Sequence, residues 1–110
     1  MDWKAALAHT NSILQPFRAE HPGPAKGFRD LHNAALAEGA LGTKEKELIA
    51  LAIGISKQCN DCIGFHVKAA IAAGATRDEV AETVNVCVVM NGGPGYMYGV
   101  KAIEAYDQLS

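Results

Sequence analysis

Apolar residues recur near the helical period from the third residue onward. Trp3, Leu7, Ile13, Leu14 and Phe17 follow Asp2, whose carboxylate can accept from free amides at a helix start, so a first helix capped by Asp2 is expected. His21-Pro22-Gly23-Pro24 breaks it, because proline lacks a donor and restrains its predecessor. A second helix places Phe28, Leu31, Ala35 and Leu36 on one stripe, with Gly39 as a left-handed stop. Thr43 is expected to cap a third helix, about Lys44 to Ser56, with Lys44, Glu45 and Lys46 as a solvated first turn. Its interior, Leu48 to Ile53, is apolar nearly all round, the pattern of a helix buried on most sides, within a domain or between subunits.

The fourth helix is expected from about Asn60 to Ala73, with Gly74 just past its end. Thr76-Arg77-Asp78-Glu79 has the form of a capping box and opens a fifth helix through Val80, Val84, Cys87 and Val88. Gly92-Gly93-Pro94-Gly95 interrupts the chain again, and a last helix holds Met97, Ile103, Tyr106 and Leu109. Val84 to Met90 is the one stretch where a strand competes, but its alternation is not clean. No repeat or linker divides residues 1–110. The pattern predicts an all-α fold, a compact single-domain bundle of about six helices.

Composition agrees: 19 alanines, the best helix former, stand in a chain of 110 residues. Hydrophobic residues at 49% and charged residues at 20% mark a globular chain rather than a disordered one. A net charge of −2, from ten basic and twelve acidic residues, argues against nucleic acid or an anionic membrane surface as a partner. The longest apolar run, Leu48 to Ile55, is far short of the roughly 20 residues that span a bilayer. Asp2 and Lys4 flank Trp3 with no leader-like apolar region, so a cytoplasmic location is expected. A core this small favours assembly into a homo-oligomer.

Three cysteines are too few, and odd in number, for a disulfide scaffold, and in a reducing compartment a Cys-x-x-Cys pair reads as catalytic or metal-binding. Cys59, Cys62 and His66 lie 3 and then 4 residues apart. At about 100° per residue, all three fall within roughly 60° on one helix face. The start of a helix favours an anion, and thiols there, in Cys-x-x-Cys pairs or beside histidine, ionise readily. A thiolate is the reactive form, and a second thiol within reach resolves a sulfenic acid to a disulfide. Zinc is the weaker alternative, because a structural site closes with a fourth ligand and none stands nearby in sequence. A thioredoxin fold is disfavoured, since the segment before Cys59 reads as helix rather than strand. Cys87, on an apolar stripe with Val80 and Val84, reads as a core thiol. His32, one turn after Phe28, could face a site but reads first as a packing or surface residue. Tyr96, Met97 and Tyr98, after the Gly-Gly-Pro-Gly break, could line a substrate pocket but read first as helix-packing or subunit-contact residues.

Glu47, then eleven residues, then Cys59-Asn60-Asp61-Cys62-Ile63-Gly64-Phe65-His66, then Gly74-Ala75-Thr76, resembles the AhpD-like branch of the carboxymuconolactone decarboxylase family. The similarity extends upstream through Leu41 to Glu47 and downstream to Asn91-Gly92-Gly93-Pro94, covering about residues 28 to 109. The resemblance implies an all-helical fold assembled into trimers or hexamers, and peroxide reduction through a cysteine pair without a cofactor or metal. Cys62 would be the peroxidatic thiolate, Cys59 the proton donor and resolving thiol, and Glu47 with His66 the proton relay. A thiol or dithiol reductant of unspecified identity would restore the pair. The chain is shorter than the best-known members, which have an additional helical segment. The decarboxylase branch generally lacks the cysteine pair, which argues against lactone decarboxylation here. Two other readings use the same residues: a redox switch or assembly module without turnover, and an acid–base enzyme built on Glu47 and His66 alone.

Overall fold

A computed structural model describes residues 1–110 as six helices without a strand. They are α1 (Trp3–Glu20), α2 (Pro22–Leu36), α3 (Thr43–Ser56), α4 (Asn60–Ala72), α5 (Arg77–Asn91) and α6 (Gly93–Leu109). The all-α prediction and the helix order hold. Val84 to Met90, where a strand competed, lies wholly within α5.

The helix ends show how local chemistry acts. Asp2 caps α1 by accepting from the Ala5 amide at 3.0 Å. Thr76 and Glu79 form the expected capping box at the start of α5. Thr43 does not cap α3 as expected: Gly42 occupies the cap position, and the Thr43 hydroxyl instead donates to the Leu36 carbonyl at 2.8 Å. That bond ties the start of α3 to the end of α2, satisfying a terminal carbonyl of the preceding helix. The two proline-containing breaks are also shorter than their composition implies. Only His21 separates α1 from α2 and only Gly92 separates α5 from α6, because proline in a first turn loses no helical bond. Gly92 adopts φ +66°, a region that strongly favours glycine.

The core gathers Trp3, Leu51, Ile55, Ile63, Val67, Val80, Val84, Cys87, Ala102 and Ala105 from five of the helices. Cys87 is 2% exposed, and burial pushes its thiol above the ordinary range, so it is a core residue as expected. Close approach matters at Gly64, where a Cβ would stand 2.7 Å from Leu7 Cδ2 and 3.0 Å from Trp3 Cε3. Trp3 therefore lies against the backbone of α4. Its indole N–H donates to Glu104 Oε1 at 2.7 Å, and its amide donates to Gln108 at 2.8 Å. These bonds fasten the start of α1 to α6.

The second half of α1 and all of α2 contribute nothing to the core. Ile13, Phe17, Phe28 and Leu31, expected to face inward, are 57–68% exposed, because no helix of the chain covers that hairpin. Ile49, Ile53, Val86, Val89 and Met90 form a second exposed apolar face on α3 and α5. The all-round apolar α3 is thus buried on one side only within a single chain. No helix is long and apolar enough to cross a membrane.

The Trp3 anchor sets a stability test. Trp3→Ala is expected to lower unfolding free energy by about 3–5 kcal/mol in urea titrations, the usual loss for a buried aromatic. Hydrogen bonds from the Trp3 indole and then the N-terminal ammonium hold the Glu104 carboxyl below its ordinary range. Depressed carboxyls stabilise the fold above their unfolded pKa, and the contribution is lost as pH falls through the lower folded value. Stability should therefore decline as pH drops below about 4.3, the ordinary glutamate value. Glu104→Gln should make that acid-side decline shallower.

Candidate active site

The connection from α3 to α4 is a tight turn. Gln58 takes φ +56°, the one non-glycine residue with positive φ, and so brings Cys59 back over the end of α3. Cys59 is the cap residue of α4, with an extended backbone, and its sulfur accepts from the Cys62 amide at 3.2 Å. This position corrects the expectation that Cys59, Cys62 and His66 share one helix face. The regular 100° step applies only to Cys62 and His66, since Cys59 precedes the helix. The consequence for chemistry is favourable: a sulfur aimed at a free helix amide sits where negative charge is stabilised.

Cys59 and Cys62 are joined as a disulfide, with Cα atoms 5.3 Å apart. Gly54 of α3 lies directly beneath, where a Cβ would come within 3.0 Å of Cys62 Cβ. The bare backbone at Gly54 lets α3 and α4 pack closely at the cysteine pair. Two turns earlier on α3, Glu47 is 4% exposed and its Oε2 lies 2.8 Å from Nδ1 of His66. Sequence spacing alone could not place Glu47 relative to His66. The packing of α3 on α4 brings them into contact across 19 positions. A carboxylate only accepts, so this contact puts the proton on Nδ1 and leaves Nε2 as the free acceptor.

His66 and Cys62 open onto a cleft of about 500 Å³. Its walls come from α1 (Thr10, Asn11, Leu14, Arg18), α2 (Phe28, His32) and α4 (Asp61, Cys62, Phe65, His66, Ala69). His32, read first as a packing or surface residue, stacks on His66 with ring centroids 6.3 Å apart and planes 23° apart. The Thr10 hydroxyl donates to Asp61 Oδ1 at 2.7 Å, tying α1 to the first turn of α4. Thr10, Arg18, Asp61 and Phe65 were not foreseen as cleft residues. Only the tertiary placement of α1 brings its residues there, and no local motif marks them. Tyr96, Met97 and Tyr98 lie away from the cleft; Tyr98 packs on the core and under Lys101, whose ammonium is 4.5 Å from the ring centroid.

The Glu47 contact fixes a tautomer that can be read directly. Long-range proton–nitrogen NMR should find the neutral His66 ring protonated at Nδ1. Glu47→Ala should shift His66 toward the Nε2–H form.

Comparison with known proteins gives the chain its relatives. The family model described as the carboxymuconolactone decarboxylase family matches residues 22–105. A carboxymuconolactone decarboxylase family protein from Legionella pneumophila, solved by crystallography, is 42% identical with a TM-score of 0.95, over 98% of this chain and 96% of that one. An uncharacterized protein of Cupriavidus necator is 36% identical over 99% of this chain and 96% of its own length. A Thermotoga maritima member of the same family, 24% identical over 94% of this chain and 89% of that one, shares the fold with a TM-score of 0.82. The matched model spans α2 through most of α6, and with it Glu47, both paired cysteines and His66; the chain belongs to the carboxymuconolactone decarboxylase family.

Proposed function

We propose that the protein is a thiol-dependent peroxidase of the AhpD-like type, reducing hydroperoxides through Cys59 and Cys62. The observation that carries this reading is the pairing of a bonded Cys-x-x-Cys at a helix start with a histidine backed by a buried carboxylate on the same cleft. Activating a thiol needs an acceptor for its proton, and His66 Nε2 is that acceptor, directly or through a water.

The reaction balances on these groups. His66 takes the Cys62 proton, and the Cys62 thiolate attacks the outer oxygen of the hydroperoxide. The O–O bond breaks, sulfur is oxidised to sulfenic acid, and the Cys59 thiol protonates the departing alkoxide to an alcohol. The Cys59 thiolate then attacks the sulfenic sulfur and expels hydroxide, which takes the proton held by His66 and leaves as water. The product is the Cys59–Cys62 disulfide. A dithiol reductant returns both sulfurs to thiols by exchange, which suits a reducing compartment such as the cytoplasm. Cys87 takes no part, because it is buried in the core. Glu47 orients the imidazole and stabilises its cation. The exposed apolar face of α3 and α5 supports packing against further copies of the chain, as a trimer or hexamer.

Three substitutions test the chemistry. Cys62→Ser is expected to abolish turnover of hydrogen peroxide or an alkyl hydroperoxide. Cys59→Ser should stop after one half-reaction, leaving a sulfenic acid that dimedone labels and mass spectrometry maps to Cys62. Glu47→Gln should lower the rate of Cys62 oxidation by up to about 10²-fold, because the His66 base remains but loses the carboxylate that orients it and stabilises its cation. Disulfide formation without repeated turnover by any dithiol would instead mark a redox switch. The Glu47–His66 pair also favours acid–base chemistry on an organic acid or lactone, and activity on such a compound that survives loss of both cysteines would establish that alternative. In the assembly, Val89→Glu should lower the mass measured by light scattering, and an unchanged monomeric wild type would refute oligomerisation.

A further inference from the structure

Arg18 and Arg29 face a common recess beside the cleft. Together with His32, Phe28 and Ala25 they line a small recess of about 210 Å³, which shares Arg18, Phe28 and His32 with the cleft that contains Cys62. The recess and the cleft are therefore continuous. Neither guanidinium has an ion pair or a side-chain hydrogen bond, whereas Lys26, Lys44 and Arg77 each hold a carboxylate. Asp30, next to Arg29 in sequence, is paired with Lys26, and Asp61, on the cleft wall with Arg18, accepts from the Thr10 hydroxyl. Both arginines are exposed and without a carboxylate partner, so the recess presents unpaired positive charge to an anion that enters it. Guanidinium presents a planar fork of donors suited to a carboxylate.

The path from this recess to the thiol is partly apolar. Leu14, Phe28 and Phe65 form walls, and His32, which lines both the recess and the cleft, stacks on His66. The groove continues beyond Arg18 along Phe17 and Pro24. Unpaired cations on the recess, Cys62 on the cleft that joins it and apolar walls along both match an amphiphilic acid. The volume is within the range of small-ligand sites.

We propose that this cleft binds organic carboxylates, with Arg18 and Arg29 holding the carboxylate. Resting on the peroxidase reading, the preferred substrates are hydroperoxides that carry a carboxylate several carbons from the peroxide, such as fatty-acid hydroperoxides. The carboxylate is a handle and takes no part in electron transfer. Oxidation of the cysteine pair and reduction of the peroxide to an alcohol proceed as described above.

Two measurements test the proposal and separate it from the peroxidase reading. Steady-state kinetics with a dithiol reductant compare linoleic acid hydroperoxide with its methyl ester. The acid is expected to have the higher kcat/KM, and Arg18→Gln should reduce the acid-to-ester ratio by roughly tenfold, the value of one charge-assisted bidentate contact. Arg18→Lys, which keeps the charge but not the fork, should retain part of the preference. Equal kcat/KM for acid and ester would overturn the proposal. Independently, decanoate is titrated into the oxidised protein and followed by NMR at the His32 and His66 ring protons. Saturable shifts in the wild type, weakened about tenfold in Arg18→Gln, establish the carboxylate site even if no hydroperoxide is turned over, an outcome that would refute the peroxidase reading alone. Decanoate that leaves both rings unmoved, or that binds Arg18→Gln equally well, overturns the site.

Discussion

Glu47 is a carboxylate removed almost wholly from water, and such a group destabilises a fold unless something nearby satisfies it. Here the partner is His66, one helix away at 2.8 Å. Meeting that requirement constrains everything around it. The α3–α4 turn has to be tight, which Gln58 achieves in a left-handed conformation. The two helices have to pack closely, which Gly54 permits beneath Cys62. The same geometry that stabilises the buried carboxylate therefore brings Cys62 and the imidazole to one cleft.

The remaining helices serve this pair of helices in two ways. Helices α5 and α6 complete the core beneath it with Val80, Val84, Ala102 and Ala105. Helix α1 is held at its start by Trp3 and Glu104 and reaches across α4, where Thr10 meets Asp61. Its second half projects past the core with α2, and that projection supplies Leu14, Arg18, Phe28 and His32 to the cleft. A segment that does little for the stability of one chain thus shapes the space in front of the thiol.

Much of this was legible in the sequence because it is encoded locally. The capping box at Thr76, the Asp2 cap, the glycine after α4 and the helical period fix the order and type of the elements. Cys62 and His66 share a face by their four-residue spacing, and the resemblance of the Glu47-to-Thr76 segment to a known family points to the same residues. The departures have physical causes. Thr43 prefers a carbonyl of α2 over its own helix start. Cys59 caps α4, so the regular helical step holds only for Cys62 and His66. The apolar stripes of α1 and α2 predicted burial that a single chain does not supply. The contact of Glu47 with His66, the stacking of His32 and the arrival of Arg18 depend on how helices cross, which no local pattern encodes.

The central claim is that Cys59 and Cys62 form a redox-active pair driven by peroxide. Intact-mass analysis after alkylation, on reduced protein before and after a stoichiometric addition of hydrogen peroxide, tests it most directly. The account predicts loss of two alkylation sites, mapped to Cys59 and Cys62 and regained with dithiothreitol, with Cys87 unchanged. Cysteines that alkylate as freely after peroxide as before would contradict it.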